Sequence, residues 1–501
     1  MWLPILISFI SLWYFPFLTI IFNIIIYIYT IISFCLTYLS SLFVCLKQKQ
    51  VLSHFFPSAL WMRLRETFRQ ERTSIEDILH IIVIPIYKED LTILDATLRS
   101  LSEQNVSMMV GFALEEREID SDTKYDSVIN KYQRQFLAII KTIHPMDLPN
   151  EIPGKASNCN YCLPTLVDYY EEHYKTTYPY VMVTSCDCDT IWCEDYFLYL
   201  NYLCTKDGLT SFHRTTYVPV ISNLENLEAS HVVSNWMSII RSISTHGHFR
   251  PVGSVRTFVS EYHVPLDLMK KIEYWDGDLV HEDIHTQNKL AILDDESVLF
   301  KQTYLPCDNQ IPTDVHSAFR SLILLWNQSL RWNLFIYDLY YLFHLWLMNM
   351  CQKKSYEHFR GNSWKIMREI ANNYENFFYF FIAPVFNQIF WIYYFCRFDH
   401  EPYDYLTDFL VNNVQSWFII VQIILSIVYI LAMFYSSAQT TKGKSYSGKK
   451  VILFIAGFLP FYFVVIIYQT LNLTVAWIYT LRSSNTHAES ATKIIDNAKD
   501  K

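Results

Sequence analysis

The chain has 501 residues, a formal net charge of −9, only 18% charged residues against 17% aromatic ones, and a mean hydropathy of +0.12. This is too apolar for an ordinary soluble protein. It is also too acidic for a nucleic-acid binder, since no basic run is large enough to track a phosphate backbone.

Met1 to Leu46 contains no Asp, Glu, Lys or Arg. As helix it would run roughly 69 Å at about 1.5 Å per residue, close to two bilayer cores. Residues 1–46 are therefore expected to form two transmembrane helices that turn near Pro16 to Asn23. The stretch has no basic n-region and is far longer than a cleavable signal. Uncharged stretches recur from Phe377 to Cys396, between Asp408 and Lys442, and between Lys450 and Arg482. They predict about three spans over 374–482, or a hairpin broken at Pro460 in 451–481, which leaves the sidedness of the C-terminus open. A polar tail, 483–501, follows. Lys47, Lys49, Arg63, Arg65, Arg69 and Arg72 flank the first pair, and Lys442, Lys444, Lys449 and Lys450 a later loop. The positive-inside rule then puts residues 47–373 in the cytosol of a multi-pass protein of the plasma membrane or an endomembrane.

Within that segment, 80–87 (HIIVIPIY) is a β-branched run, and Leu91, Leu94, Leu98 and Leu101 recur at spacings of three and four. The pattern predicts strand, then helix. Segments 106–115, 135–145 and 180–187 supply three more strands, with polar stretches between them long enough for crossover helices. Alternation of this kind predicts a parallel α/β sheet, whose ligands bind beyond the carboxyl ends of the strands. Asp187 and Asp189 of CDCDT fall there. Two unpaired carboxylates so close together resist desolvation, which points to a hard cation such as Mg²⁺ or Mn²⁺ bridging a diphosphate. The plainer alternative is that Asp189 caps the next turn and Asp187 meets a nearby Lys or Arg. There is no GxGxxG and no Walker A motif. Cys159-x-x-Cys162 with Cys186, Cys188 and Cys193 lacks the second C-x-x-C or His pair of a zinc site, so these read as packed thiols.

In order along the chain stand PIYKED (85–90), PGKASN (153–158), CDCDT (186–190), PVGS (251–254), HED (281–283) and QSLRW (328–332). This series resembles the membrane-embedded family 2 glycosyltransferases, the group of the cellulose, hyaluronan and chitin synthases. The resemblance covers roughly residues 75–335 by motif and the rest by hydropathy alone. It implies a cytosolic glycosyltransferase-A type, Rossmann-like α/β domain over 75–320, inserted between transmembrane α-helices, with interfacial helices carrying QxxRW over 321–373.

By that resemblance Asp187 and Asp189 hold the nucleotide-sugar diphosphate and its Mg²⁺ or Mn²⁺. Asp283, beside Glu282, is the general base toward the acceptor hydroxyl. Arg331 steadies the departing diphosphate, and Gln328 and Trp332 shape the acceptor end, a flat indole face being suited to a sugar ring. Pro85, Tyr87 and Glu89 match the loop around the base, Lys155 a lysine near the nucleotide, and Gly253 and Ser254 an acceptor-side Gly-Ser. The implied reaction is inverting transfer from a UDP-sugar to a growing polysaccharide, coupled to translocation. Transfer of one sugar to a lipid acceptor is the alternative within the enzyme class, and an inactive membrane scaffold the alternative outside it. Three positions depart from the family pattern. Glu115 and Glu116 stand where an aspartate usually holds uracil, His281 replaces the threonine of TED, and Cys188 is the central residue of the DxD.

Overall fold

In the computed structural model the described residues are 16–55, 78–146, 148–206, 208–223, 225–226, 229–247, 258–293, 298–350, 363–374, 416–437 and five positions between 471 and 478. Eight strands form one sheet: β1 (Ile78–Ile86), β2 (Met108–Glu115), β3 (Ala138–His144), β4 (Tyr180–Ser185), β5 (Ile191–Trp192), β6 (Thr215–Ser222), β7 (Tyr262–Pro265) and β8 (Leu299–Asp308). Their order is β3-β2-β1-β4-β7-β6-β8-β5. The helices used below are α1 (Pro16–Gln50), α2 (Leu91–Ser102), α3 (Lys155–His173), α4 (Tyr196–Lys206), α5 (Val232–Gly247), α6 (Glu282–Ile292), α7 (Ala318–Trp332), α8 (Ile336–Met350), α9 (Ser363–Tyr374) and α10 (Ser416–Ser437).

The parallel half appears as expected, with β3, β2, β1 and β4 running the same way in register. The expectation of an all-parallel sheet is corrected beyond β4. β7 pairs antiparallel with both β4 and β6, and β5 antiparallel with β8. The reason is local: β7 is four residues long, too short to show a period, and its direction is set by where the chain returns. Both faces of the parallel half are covered. α2 and α4 seal one side with a core that includes Ile82, Leu98, Phe112 and Phe197. α3 seals the other, where Leu163 and Leu166 meet Ile81 and Met109. Cys159 and Cys162 belong to that second core. A strand buried on both faces reads as a continuous apolar run, which is why HIIVIPI does not alternate.

Asp90 starts α2 by accepting a hydrogen bond from the Thr92 amide at 2.7 Å, the usual service of an N-cap. α3 begins after Gly154, where the Ser157 hydroxyl accepts from the Gly154 amide at 3.1 Å and donates to the Ile152 carbonyl at 2.8 Å. These caps bring both helix N-termini to the carboxyl edge of the sheet.

From Pro16 to Gln50 the chain is a single helix. The turn expected near Pro16 to Asn23 is therefore not within it, and Pro16 sits at the helix start, where a missing N–H costs nothing. Residues 1–15, the expected span 377–396, and nearly all of 451–481 lie outside the described residues. Counting only residues whose side chains are described, no helix is long and apolar enough to cross a membrane. As sequence, α10 carries 22 residues without a charge, about 33 Å of helix. On α1, Ile25, Ile28, Ile32, Leu36 and Leu39 are exposed along one face, while Tyr38, Ser41 and Val44 are buried. α10 packs on α1 with Tyr429 edge-on to Tyr38 at 6.4 Å. The Tyr429 hydroxyl also meets His246 Nδ1 of α5 at 2.9 Å, which ties the helix pair to the sheet domain. On α8 the exposed residues Tyr340, Phe343, Leu347 and Met350 recur at helical spacing, an apolar stripe left uncovered among the described residues, of the kind that marks a contact surface.

Candidate active site

Beyond the carboxyl ends of β1, β2 and β4 lies a cavity of about 320 Å³, within the range of small-ligand sites. Its walls include Pro85, Tyr87, Glu89, Lys155, Asp187, Asp189, Glu282, Asp283, Gln328, Arg331 and Trp332. Every described residue given a catalytic, substrate-binding or metal-binding role from the sequence thus lines one space. Gly253 and Ser254 lie outside the described residues.

The DxD follows β4 directly. The Thr97 hydroxyl donates to the Cys188 carbonyl at 2.6 Å, and the Thr190 amide to the Asp187 carbonyl at 3.2 Å, so the turn is held from two sides. Asp187 Oδ1 pairs with Lys155 Nζ at 2.6 Å, and the same ammonium meets Glu282 Oε1 at 2.7 Å. Lys155 therefore bridges the DxD to the acidic start of α6. Burial works against its charge, yet Asp187, Glu282 and Asp283 hold its pKa well above the usual lysine value. Asp189 Oδ2 accepts from the Gln310 amide at 3.2 Å. Burial, with the Asp187 and Glu89 charges, pushes its carboxyl up to about 7. Part of the plainer reading is therefore realised, since Asp187 does meet a lysine, whereas the Asp189 carboxyl takes the distant Gln310 amide and lines the cavity.

Behind the pair stands Glu261, fully buried, accepting from Thr190 Oγ1 at 2.6 Å and Asn309 Nδ2 at 3.0 Å. Burial and the Asp187 charge raise it to about 8. Its neighbour Ser260 donates its amide to Asp283 Oδ2 at 3.2 Å, and Asp283 Oδ1 takes the Ile284 amide at 2.7 Å. The carboxylate is oriented by two backbone donors at a helix start, where the positive end of the dipole favours it. His281 occupies the N-cap position without a side-chain cap bond, so these amides hold Asp283 where a threonine hydroxyl would otherwise serve as cap. Burial pushes Glu282 up to about 7, against the Lys155 charge.

At the far wall of the cavity, Tyr87 lies under the Arg117 guanidinium, 4.8 Å from the ring centroid. Glu115, at the end of β2, accepts from Asn158 Nδ2 at 2.8 Å and Arg117 Nε at 2.8 Å. Both of its oxygens are thus engaged within the protein. Opposite, the last two turns of α7 present Gln328, Arg331 and Trp332. Desolvation lowers Arg331, opposed by Asp187 and Glu89.

The sequence reading passed over Arg241, Asn158, Ser260, Glu261 and Asn309. For Arg241 a signal existed: it is the only Asp, Glu, Lys or Arg in the 16 residues of α5. Asn158 closes PGKASN and lies in the first turn of α3, while Ser260, Glu261 and Asn309 carry no signal, because a lone Asn, Ser or Glu in a loop resembles any other until the fold gathers them.

Six carboxylates, Glu89, Glu115, Asp187, Asp189, Glu282 and Asp283, line the cavity against three cations, Lys155, Arg241 and Arg331. Asn158 Oδ1, Asn223 Nδ2, Asn309 Oδ1 and Arg331 Nε are buried at its wall with no hydrogen-bond partner among the described residues. Buried polar atoms are normally satisfied, so four orphans around one cavity call for a polar ligand. Among the described residues no group of three or more His, Cys, Asp or Glu could hold a metal ion. The oxygen donors of Asp187 and Asp189 suit Mg²⁺ or Mn²⁺ only when the ligand brings phosphate oxygens of its own, the usual arrangement for these ions.

No known protein family and no curated protein matches the sequence. Among solved structures, the chain aligns over 81% of its length, and over 100% of the other chain, with a mannosyltransferase from Pyrobaculum calidifontis in complex with GDP-Man and Mn²⁺. The identity is 11% and the TM-score 0.37.

Proposed function

We propose that this protein is a membrane-embedded, inverting glycosyltransferase that takes a sugar from a nucleotide-sugar donor, a UDP-sugar by the motif resemblance, and adds it to a growing polysaccharide on the cytosolic face. One observation carries the reading: the DxD, the HED carboxylates and the QxxRW side chains line a single cavity at the carboxyl edge of the sheet. Their separation along the chain makes such a meeting improbable unless the fold exists to assemble them.

In this reading the acceptor hydroxyl sits beside Asp283, which takes its proton. The acceptor oxygen bonds to the anomeric carbon as the bond from that carbon to the diphosphate oxygen breaks, so a single displacement inverts the centre. The leaving diphosphate carries the electron pair, and its growing charge meets Arg331. Asp187 and Asp189 would hold a Mg²⁺ or Mn²⁺ that neutralises diphosphate charge when bound. Lys155, paired with Asp187 and Glu282, keeps the acidic wall from repelling that diphosphate. Such electrostatic preorganisation is commonly the largest contribution in group transfer. The apolar faces of α1, α8 and α10 support membrane insertion, with QSLRW close to the bilayer.

The test is nucleoside diphosphate release by the purified full chain in detergent, across UDP- and GDP-sugars, with and without Mn²⁺, beside Asp189→Ala and Asp283→Asn. Release with one donor that is lost in both variants is expected. Absence of release with every donor, with lipid and carbohydrate acceptors supplied, would overturn the proposal.

A further inference from the structure

The three cations of the cavity are not equivalent. Lys155 is consumed by contact with Asp187 and Glu282. Arg241, reaching in from α5, has no carboxylate within ion-pair distance among the described residues. Its guanidinium carbon lies over the Trp332 indole, 3.7 Å from the ring centroid, a separation that stacking gives, and Nη1 approaches Gln328 Oε1 only at 3.5 Å, the outer limit of a hydrogen bond. Stacking uses the face of a guanidinium and leaves its in-plane N–H fork directed outward, the geometry that grips phosphate oxygens in pairs.

The surroundings point the same way. Desolvation at the cavity wall pulls Arg241 down to about 10, while the charges of Asp189, Asp187 and Glu261 act against that fall without touching it. A cation removed from water and given no direct counter-ion is costly. An arriving anion removes that cost.

We propose that Arg241 is a further phosphate-binding residue of this site, stacked on Trp332 so that its fork grips the diphosphate of the nucleotide ligand alongside Arg331. The inference rests on the nucleotide-sugar reading above and adds to it a residue outside every motif. It also revises the part assigned to Trp332. One indole face is covered by Arg241, so Trp332 serves first as a platform for the guanidinium, and an acceptor sugar has only the other face.

The experiment measures affinity of the detergent-solubilised full chain for UDP, GDP, UMP and inorganic pyrophosphate in Mn²⁺, in wild type, Arg241→Gln, Arg241→Lys and the surface control Arg99→Gln. Loss of a charge-assisted pair predicts about a 10- to 100-fold weaker diphosphate and pyrophosphate affinity in Arg241→Gln, with a smaller loss for UMP and no fall in the ligand-free melting temperature. Arg241→Lys keeps the charge but loses the fork and is expected to weaken binding roughly 3- to 10-fold. Should Arg241→Gln not fold, the lysine variant decides. Wild-type diphosphate affinity in the Arg241 variants would overturn this proposal and leave the nucleotide-sugar reading standing. If wild type bound pyrophosphate but none of UDP, GDP and UMP, that reading would be overturned, while Arg241 would still be judged on the pyrophosphate comparison. No binding of either by wild type would overturn both.

Discussion

His285, one turn into α6, is 2% exposed, yet both ring nitrogens face carboxylates. Nδ1 lies 2.7 Å from Asp338 Oδ1 of α8, and Nε2 lies 2.6 Å from Asp276 Oδ2. Only the imidazolium can donate at both ends. Lys289 shares Asp276 at 2.7 Å, Asn288 reaches Asp338 at 3.5 Å, and the Tyr341 ring packs edge-on at 4.6 Å. Burial opposes the charge, but Asp338 and Asp276 raise the pKa from 6.5 to about 9. A rise of that size is worth roughly 3 kcal/mol of folding stability. Because the folded value is the higher one, this stability is fully present below pH 6.5 and is lost as pH climbs through about 9. The perturbation is His285→Gln, whose neutral amide leaves Asp276 and Asp338 facing each other. Melting of the full chain in detergent should show wild type several degrees above the variant at pH 6, with the gap closing by pH 10. A gap of equal size at both pH values would refute a charged His285, and with it the claim that an ion triad fastens α6 to α8.

Lys155→Met strips the counter-ion from Asp187 and Glu282 and should cost about 3 kcal/mol of stability, as breaking a buried pair does; adding Asp187→Asn should recover part of it in a double-mutant cycle, and strict additivity would refute the pairing. Asp189→Ala should abolish the stabilisation by Mn²⁺ with nucleoside diphosphate, which for wild type at a hundredfold excess over Kd is about 2.7 kcal/mol; an unchanged thermal shift would exclude Asp189 from the ligand site. Gly111→Ala in β2 would place a methyl group 2.8 Å from Cys162 Sγ and closer still to Leu166 Cδ1. Overpacking of that kind costs about 1 to 3 kcal/mol, readable as a lower melting temperature, and a neutral result would mean α3 packs more loosely on the sheet than described.

Much of the parallel half was legible in the sequence. The strand expected over 80–87 is observed at Ile78–Ile86, that over 106–115 at Met108–Glu115, and that over 180–187 at Tyr180–Ser185. Each is a continuous apolar run ended by charge or a turn, and such runs form strands wherever both faces are covered. The DxD was legible for a different reason, since two neighbouring carboxylates after an apolar run need a partner, whereas the HED carboxylates and QSLRW were legible only through their order in the motif series along the chain. The triad around His285 was not legible, because Asp276, His285 and Asp338 look like ordinary surface residues in one dimension.

What the sequence by itself determined is thus local: apolar runs that must become strands or buried helices, charge-free stretches that seek an apolar surface, and acidic pairs that require a cation. These follow from desolvation and from backbone periodicity, which act over a few residues. Only the tertiary structure decided that β7 returns antiparallel between β4 and β6, that Lys155 lies between Asp187 and Glu282, and that Arg241 stacks on Trp332. Those pairings join segments far apart along the chain. Their geometry is set by how the sheet and its covering helices pack, and no local pattern of residues encodes it.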